Sequence, residues 1–564
     1  MRTSIALVGL FEFSVAYGRS LWYSLGILIE IGGMVMKKKP AWLVPLVIIL
    51  CIALLRCGVS YLFSSSGTKF EDMVYTRPDV TALSSSANRC MELAKDGSDF
   101  DELWKEINTF FQQYSNYSTQ YLLAYVHYCL DLTDAYWVEE YNYCEQNSAQ
   151  VDAARDQLLH GLAKSSLRDQ LEGDDYFGQG YFDAYDGESI WTDEFTALNQ
   201  QEAELISKYY QIVQSGPAVS SYDEAYYGTI GLQLEELYVQ LVTLRQELAQ
   251  AAGFDTYSDY AYRNIYYRDY SVADAAGLCQ EISEELVPLY LELAEDGFWS
   301  TGLSKAREKD TFEYVSTVAS NMGGVVEEAF QVMEENNLYD ISYGENKLDG
   351  AFEVYFYDYW QPFVFLSPMG NQLDYLSFVH EFGHFCNDYA SYGSTAGIDI
   401  NEVFSQGMEY LSLTYGEPTK RLTHHKLGDG VSTYVEQAAY SWFEQQVYAL
   451  PAEEITVENI RELFEQTCEG YGLDYWELDS RGYVDVTHFF TQPLYVISYV
   501  VSNDAAFQLY QLEQEEAGAG LAIYVEVLDT EQEEFLLFLE EAGLDNPFQD
   551  GHIQKVRETF ENAL

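Results

Sequence analysis

Proline is scarce in this chain, at 11 of 564 residues. Histidine, at 8, and basic residues, 29 Lys+Arg against 91 Asp+Glu, are scarce too. So little proline, beside ample hydrophobic residues, marks most of the chain as globular and excludes extended disorder. A formal net charge of −62 repels phosphate backbones and excludes nucleic acid as a partner. The eight cysteines form no CxxC pair, which excludes the usual metal-binding cysteine spacings. Six lie beyond the front end, at Cys90, Cys129, Cys144, Cys279, Cys386 and Cys468. They read as buried thiols, although export would permit disulfides among them. There is no fixed-period repeat and no low-complexity tract. With 48% hydrophobic residues, the chain has enough apolar side chains for a sizeable core.

Charge is unevenly spread. Residues 1–65 hold six of the basic residues and only two acids, Glu12 and Glu30, ahead of a strongly acidic body. Lys37-Lys38-Lys39 precede the uncharged run Ala41–Leu55, a basic region and an apolar region that fit a secretory signal or membrane anchor over residues 37–63. The positive-inside rule then keeps the lysines cytoplasmic and puts the body outside, secreted or anchored through that segment. Residues 1–36 read as an extension outside the working protein, with Met34 or Met36 the more natural start. Residues 64–80 read as a polar tether, 81–215 as an N-terminal helical domain and 216–564 as the catalytic domain, divided at Ser215-Gly216-Pro217.

The body is mostly helical in pattern, for example over Phe100–Phe111 and Ala197–Val213. Near the end, Thr530–Glu533 has a capping-box signature before Phe535–Leu539, and Gly543 stops that helix. Strand signal is confined to Ala351–Tyr357 and Phe363–Ser367, a hairpin or two neighbouring strands around Asp358–Pro362. Phe363, Val364 and Phe365 would hold an extended peptide by strand addition. The 49 tyrosines read as amphipathic packing around the core.

The chemistry points to His380-Glu381-Phe382-Gly383-His384. On a helix, His380 and His384 are one turn apart on one face, so both imidazoles can converge on a single Zn2+. Glu381 sits about 100° round the turn, placed to hold a metal-bound water without ligating the metal. Asp374 and Gly393 read as the N-cap and C-terminal glycine of this helix. A second helix from Asp399, ended by Gly416, presents Glu402, Ser405, Gln406 and Glu409 on one face. A charged face of this kind is either solvated or directed to the metal. In the second case Glu402 is the third ligand, and Glu409 or Asp399 accepts from the histidines. His424-His425, with Arg421 and Lys426 around them, read as a solvated helix or loop.

HEFGH followed by the acidic segment Asp399–Glu409 resembles the thimet oligopeptidase and oligoendopeptidase F metallopeptidases, closer to the oligoendopeptidase F branch. Gly350-Ala351-Phe352, Pro362–Phe365, His488–Tyr499 and Ala542–Phe548 are similar to further blocks of that family, and Gly253–Ala261 to the entry of its catalytic region. The resemblance covers about residue 225 to the end and, more faintly, the helical part before it. It implies a mainly α zincin-like fold, with two helical lobes around a deep substrate channel and a small β-sheet next to the HExxH helix. It also implies one zinc per chain on His380, His384 and Glu402, with Glu381 as base. His488, Tyr495 and Tyr499 would then line the substrate and its oxyanion, although the two tyrosines also suit plain core packing. The implied activity is zinc-dependent hydrolysis of short peptides. The alternative is a catalytically silent, membrane-anchored peptide-binding protein. The oligomeric state is open.

Overall fold

A computed structural model describes residues 67–97, 99–173, 176–216, 226–300, 302–393, 396–476, 478 and 480–564. The segments read as extension and as signal or anchor, together with residues 64–66 of the tether and Pro217, lie outside the described residues. Among the described residues, no helix is long and apolar enough to cross a membrane.

The N-terminal part is built from α1 (Val80–Asp96), α2 (Phe100–Leu130) and α3 (Ala135–Ala163), followed by α4 (Asp193–Ser215). Each starts at a residue chosen for the task. Asp79, Asp99, Asp134 and Thr192 accept hydrogen bonds from backbone N–H groups two or three residues on, which satisfies donors that the helix itself leaves free. Leu83, Ile107, Phe110, Leu158 and Leu162 belong to a first hydrophobic core that runs from Val80 to Tyr185. α4 joins the other core through Phe195, Tyr209 and Ile212, as does the C-terminal half of α2 through Leu123 and Val126. The two cores therefore part before α4, upstream of Ser215.

The larger core carries α5 (Leu232–Ala251), α6 (Val272–Glu285), α7 (Val287–Glu295), α8 (Glu308–Met322) and α9 (Gly324–Glu335). Then come strands β1 (Tyr339–Asp340), β2 (Ala351–Phe356) and β3 (Gln361–Leu366). After them run α10 (Leu373–Ser391), α11 (Ile398–Tyr415), α12 (Lys420–Tyr448), α13 (Val457–Gly470), α14 (Ile497–Glu515), α15 (Ala519–Glu526), α16 (Phe535–Ala542) and α17 (His552–Ala563). The fold is thus mainly α, with one small sheet packed against α10. The hairpin expected from the sequence is present, with β2 antiparallel to β3 and Ala351 opposite Leu366. β1, only two residues long, adds a parallel partner on the other side of β3.

Two caps differ from expectation. Asp374 lies inside α10, whose N-cap is Gln372. Its carboxylate accepts from the N–H groups of Met369 and Gly370 at 2.7 and 2.8 Å, so it braces the preceding turn instead of capping the helix. The box at Thr530–Glu533 does not form. α16 begins at Phe535, and the Asp269 carboxylate accepts from the N–H groups of Leu536 and Leu537 at 2.9 and 3.3 Å. A carboxylate brought by tertiary packing has displaced the local cap.

Candidate metal centre

Glycine at position 383 is what lets α10 and α11 meet closely. A Cβ there would stand 2.4 Å from the Phe404 carbonyl oxygen and 2.7 Å from Ser405 Cα, contacts that no side-chain carbon tolerates. The close crossing brings Glu402 of α11 to both histidines of α10. Its Oε2 lies 3.5 Å from His380 Nε2 and 3.8 Å from His384 Nε2. These three side chains form a group whose donor atoms all lie within 4.8 Å of one another. Ligands bound tetrahedrally to zinc at the usual bond lengths sit about 3.3 Å apart, so the spacing fits with only small adjustment. The donor set, two imidazoles and one carboxylate, is that of a catalytic zinc site with one position left open.

The surroundings fix which atoms face the centre of this group. His380 Nδ1 lies 2.7 Å from Glu409 Oε1, which leaves Nε2 directed at Glu402. The other Glu409 oxygen is 2.8 Å from Lys426 Nζ, and that ammonium is buried. Burial alone would raise the Glu409 carboxyl, but Lys426 and His380 outweigh it and hold it down at about 2. Burial likewise opposes charge on His380, yet Glu409, Glu381 and Glu402 raise it to about 9. His384, whose partners are fewer, is lowered by burial to about 4. Glu381 is buried beside them and makes no hydrogen bond to the group. Desolvation pushes its carboxyl up to about 7.

The Glu402 carboxylate is gripped on both oxygens. Tyr495 Oη donates to Oε1, and Ser405 Oγ donates to Oε2 at 2.9 Å. Tyr495 therefore acts here on the ligand itself. His488 and Tyr499 form their own pair, with Tyr499 Oη 3.2 Å from His488 Nε2. Burial raises both phenols well above their ordinary range and lowers His488.

Three expectations need correction. Asp399 touches neither histidine. It receives Tyr270 Oη at 2.7 Å, Ser498 Oγ and the Arg268 guanidinium at 3.3 Å, an ion pair buried on both sides. Arg268 in turn donates to the carbonyls of Leu494 and Tyr495 at 3.0 and 3.4 Å, so Asp399 anchors the segment that carries Tyr495. Phe363, Val364 and Phe365 are fully buried on β3, the central strand, which is paired on both edges. They cannot meet a peptide. The longer of the two edge strands is β2. Pro362 has no N–H, so its partner Tyr355 and alternate residues Glu353 and Ala351 turn their backbone groups outward. Third, the helix around His424-His425 leaves Arg421 and His424 exposed as expected, but Lys426 beside them is not solvated, because α12 buries it against Glu409 and over the Tyr410 ring.

Sequence reasoning missed Arg268, Tyr270, Ser405 and Lys426. Ser405 stood on the face already singled out in α11. Arg268 and Lys426 gave no signal, because an isolated basic residue in an acidic chain looks solvated until its partners are known. The six body cysteines are free and buried, with no disulfide among them.

Against known proteins, residues 70–188 match the peptidase M3 N-terminal domain. The fold is shared with solved structures along nearly their whole length. One is PZ peptidase A with an inhibitor, at TM-score 0.78, 20% identity and coverage of 88% of this chain and 98% of that one. A second, assigned as an oligoendopeptidase F, gives 0.76, 22%, 88% and 98%. A third, from Bacillus anthracis and similarly assigned, gives 0.74, 20%, 88% and 98%. No curated protein matches in sequence. The chain thus carries an N-terminal region that matches the peptidase M3 N-terminal domain and a fold shared with these solved peptidase structures. Its fold is that of structures assigned as oligoendopeptidase F, the branch that its motifs resemble.

Proposed function

We propose that this protein is a zinc-dependent endopeptidase acting on short peptides, with His380, His384 and Glu402 as the zinc ligands. The observation that carries the reading is the convergence of these three donors beside a buried carboxyl, Glu381, that ligates nothing. Bound zinc lowers the pKa of its water towards about 7 and polarises a carbonyl oxygen. Glu381 takes the proton from the attacking water and passes it to the leaving amine. Glu409 and Lys426 hold His380 with Nε2 forward, and Tyr495 with Ser405 holds Glu402. Tyr499 and His488 are the donors free to stabilise the oxyanion as charge develops. The outer edge of β2 supports an extended backbone by strand addition. The localisation reading belongs here as well. The body faces outside, secreted or held by the segment at residues 37–63, and protease added to intact cells should digest it. Protection of the body would overturn that part alone.

The testing experiment is a peptide-library digest by the purified body with zinc, with a chelator, and with Glu381→Gln. Cleavage confined to the zinc-loaded native enzyme is expected. Peptide binding without any cleavage would favour the silent binding protein.

A further inference from the structure

Side chains alternate across a strand, so neighbours on β2 face opposite ways. Phe352 stacks on Phe365 with ring centroids 4.6 Å apart. Glu353 and Tyr355 therefore share the other face, the one towards α10. There Glu353 hydrogen-bonds Asp388, which stands two turns beyond Glu381 on α10, and Glu381 itself lies within electrostatic reach of Glu353. The Tyr355 ring packs on the end of α10, where a Cβ at Gly393 would come within 2.3 Å of it. Tyr355 is only 5% exposed, yet its hydroxyl has no hydrogen-bond partner, and the nearest charged groups facing it are Asp388 and Glu353. Glu353 Oε1 is also buried without a partner. No lysine or arginine is among the groups that act most strongly on these three side chains.

Polar groups held out of water without partners are costly, and here they gather beside β2, an edge strand of the sheet. We propose that Glu353, Asp388 and Tyr355 form a subsite for a lysine or arginine side chain of a peptide lying along the outer edge of β2. This deepens the peptidase reading and rests on it. In a peptide paired with β2, every second side chain falls on the face of Glu353 and Tyr355. A long cationic side chain from one of these positions brings several N–H donors to two carboxyls and a phenol, as charge-assisted hydrogen bonds. Burial pushes both carboxyls up, Asp388 to about 7, and an arriving cation favours their ionised forms. A bare divalent ion such as Ca2+ fits less well, because it takes six to eight oxygens and two carboxyls already bonded to each other offer too few.

The test uses the zinc-loaded enzyme and quenched peptides that differ at one position at a time, carrying Lys, Arg, norleucine or Glu. The quantity read is the ratio of kcat/KM for the cationic and the norleucine peptide. The native enzyme should favour Lys or Arg about tenfold or more at one position. That ratio should fall towards one in Glu353→Gln and in Asp388→Asn, and part of the way in Tyr355→Phe. If Glu353→Gln fails to fold, Glu353→Asp replaces it, and a weakened but surviving preference is expected. A cationic preference spread equally over all positions would overturn the subsite and leave only steering by an acidic surface. So would a ratio unchanged in both carboxyl variants. A native enzyme that cuts none of the peptides would refute the peptidase reading first, and the subsite with it.

Discussion

Glu409 and Glu353 flank the same helix and are both shielded from bulk water, yet their situations are opposite. Glu409 has Lys426 on one oxygen and His380 on the other, and these hold it ionised. Glu353 shares a hydrogen bond with another carboxyl, keeps one oxygen unpartnered, and is pushed up by burial. A carboxylate that the fold has neutralised does positional work for its neighbour. One that the fold leaves unpaired waits for a partner from outside. On the proposed reading, the contrast separates residues that build the metal centre from residues that meet the substrate.

The comparison can be broken at several points. The largest effect is expected at Glu381, the buried carboxyl that ligates nothing. Glu381→Gln should lower turnover by about 10²–10⁴-fold, the usual worth of a general base, while metal analysis still finds zinc. Near-normal turnover would mean that the water is activated elsewhere. Next come the ligands, where His384→Ala or Glu402→Ala should each lose most of the bound zinc. Full zinc in both would remove the assignment. Gly383→Ala should also loosen zinc, because the added methyl drives α11 and Glu402 away from α10. Unchanged zinc affinity would show that the close crossing is not what sets the ligand.

Lys426→Met sharpens the contrast itself. It strands the Glu409 carboxylate without its cation, and breaking a buried pair from one side costs about 3–5 kcal/mol. Glu353→Gln replaces a carboxyl whose ionised form burial already disfavours and should leave the unfolding midpoint unchanged or raised. Equal loss in both variants would erase the distinction. The smallest effect concerns Glu444, whose oxygens accept the Leu494 N–H at 2.9 and 3.0 Å and whose carboxyl burial raises to about 8. With the folded pKa above the unfolded one of about 4.3, its contribution to stability is fully present below the unfolded value. It is lost as pH rises through the folded one. Melting of Glu444→Gln between pH 5 and 9 should therefore decline less steeply than that of the native protein.

Much of this was legible in the sequence. The HEFGH spacing and the face of α11 required only helical periodicity, and α11 ends at Gly416 as read. The hairpin also followed from its residues, but which strand lies inside the sheet depended on β1. Two residues are too short to carry a pattern, so the residues alone point to β3 rather than β2 as the strand that meets a peptide. Asp399 and Glu409 sit on one helix and looked interchangeable. Only the placement of Arg268, 131 residues away in sequence, and of Lys426 on α12 assigns them different tasks. Tertiary partners of single charged residues leave no periodic trace.

The central claim is that catalysis here needs zinc held by His380, His384 and Glu402. Its most direct test is cleavage of one quenched peptide by the purified body after removal of metal, followed by titration with zinc. The account predicts no cleavage in the metal-free protein and full recovery at one zinc per chain, with no recovery in His384→Ala. Undiminished cleavage by protein shown to be zinc-free would contradict it.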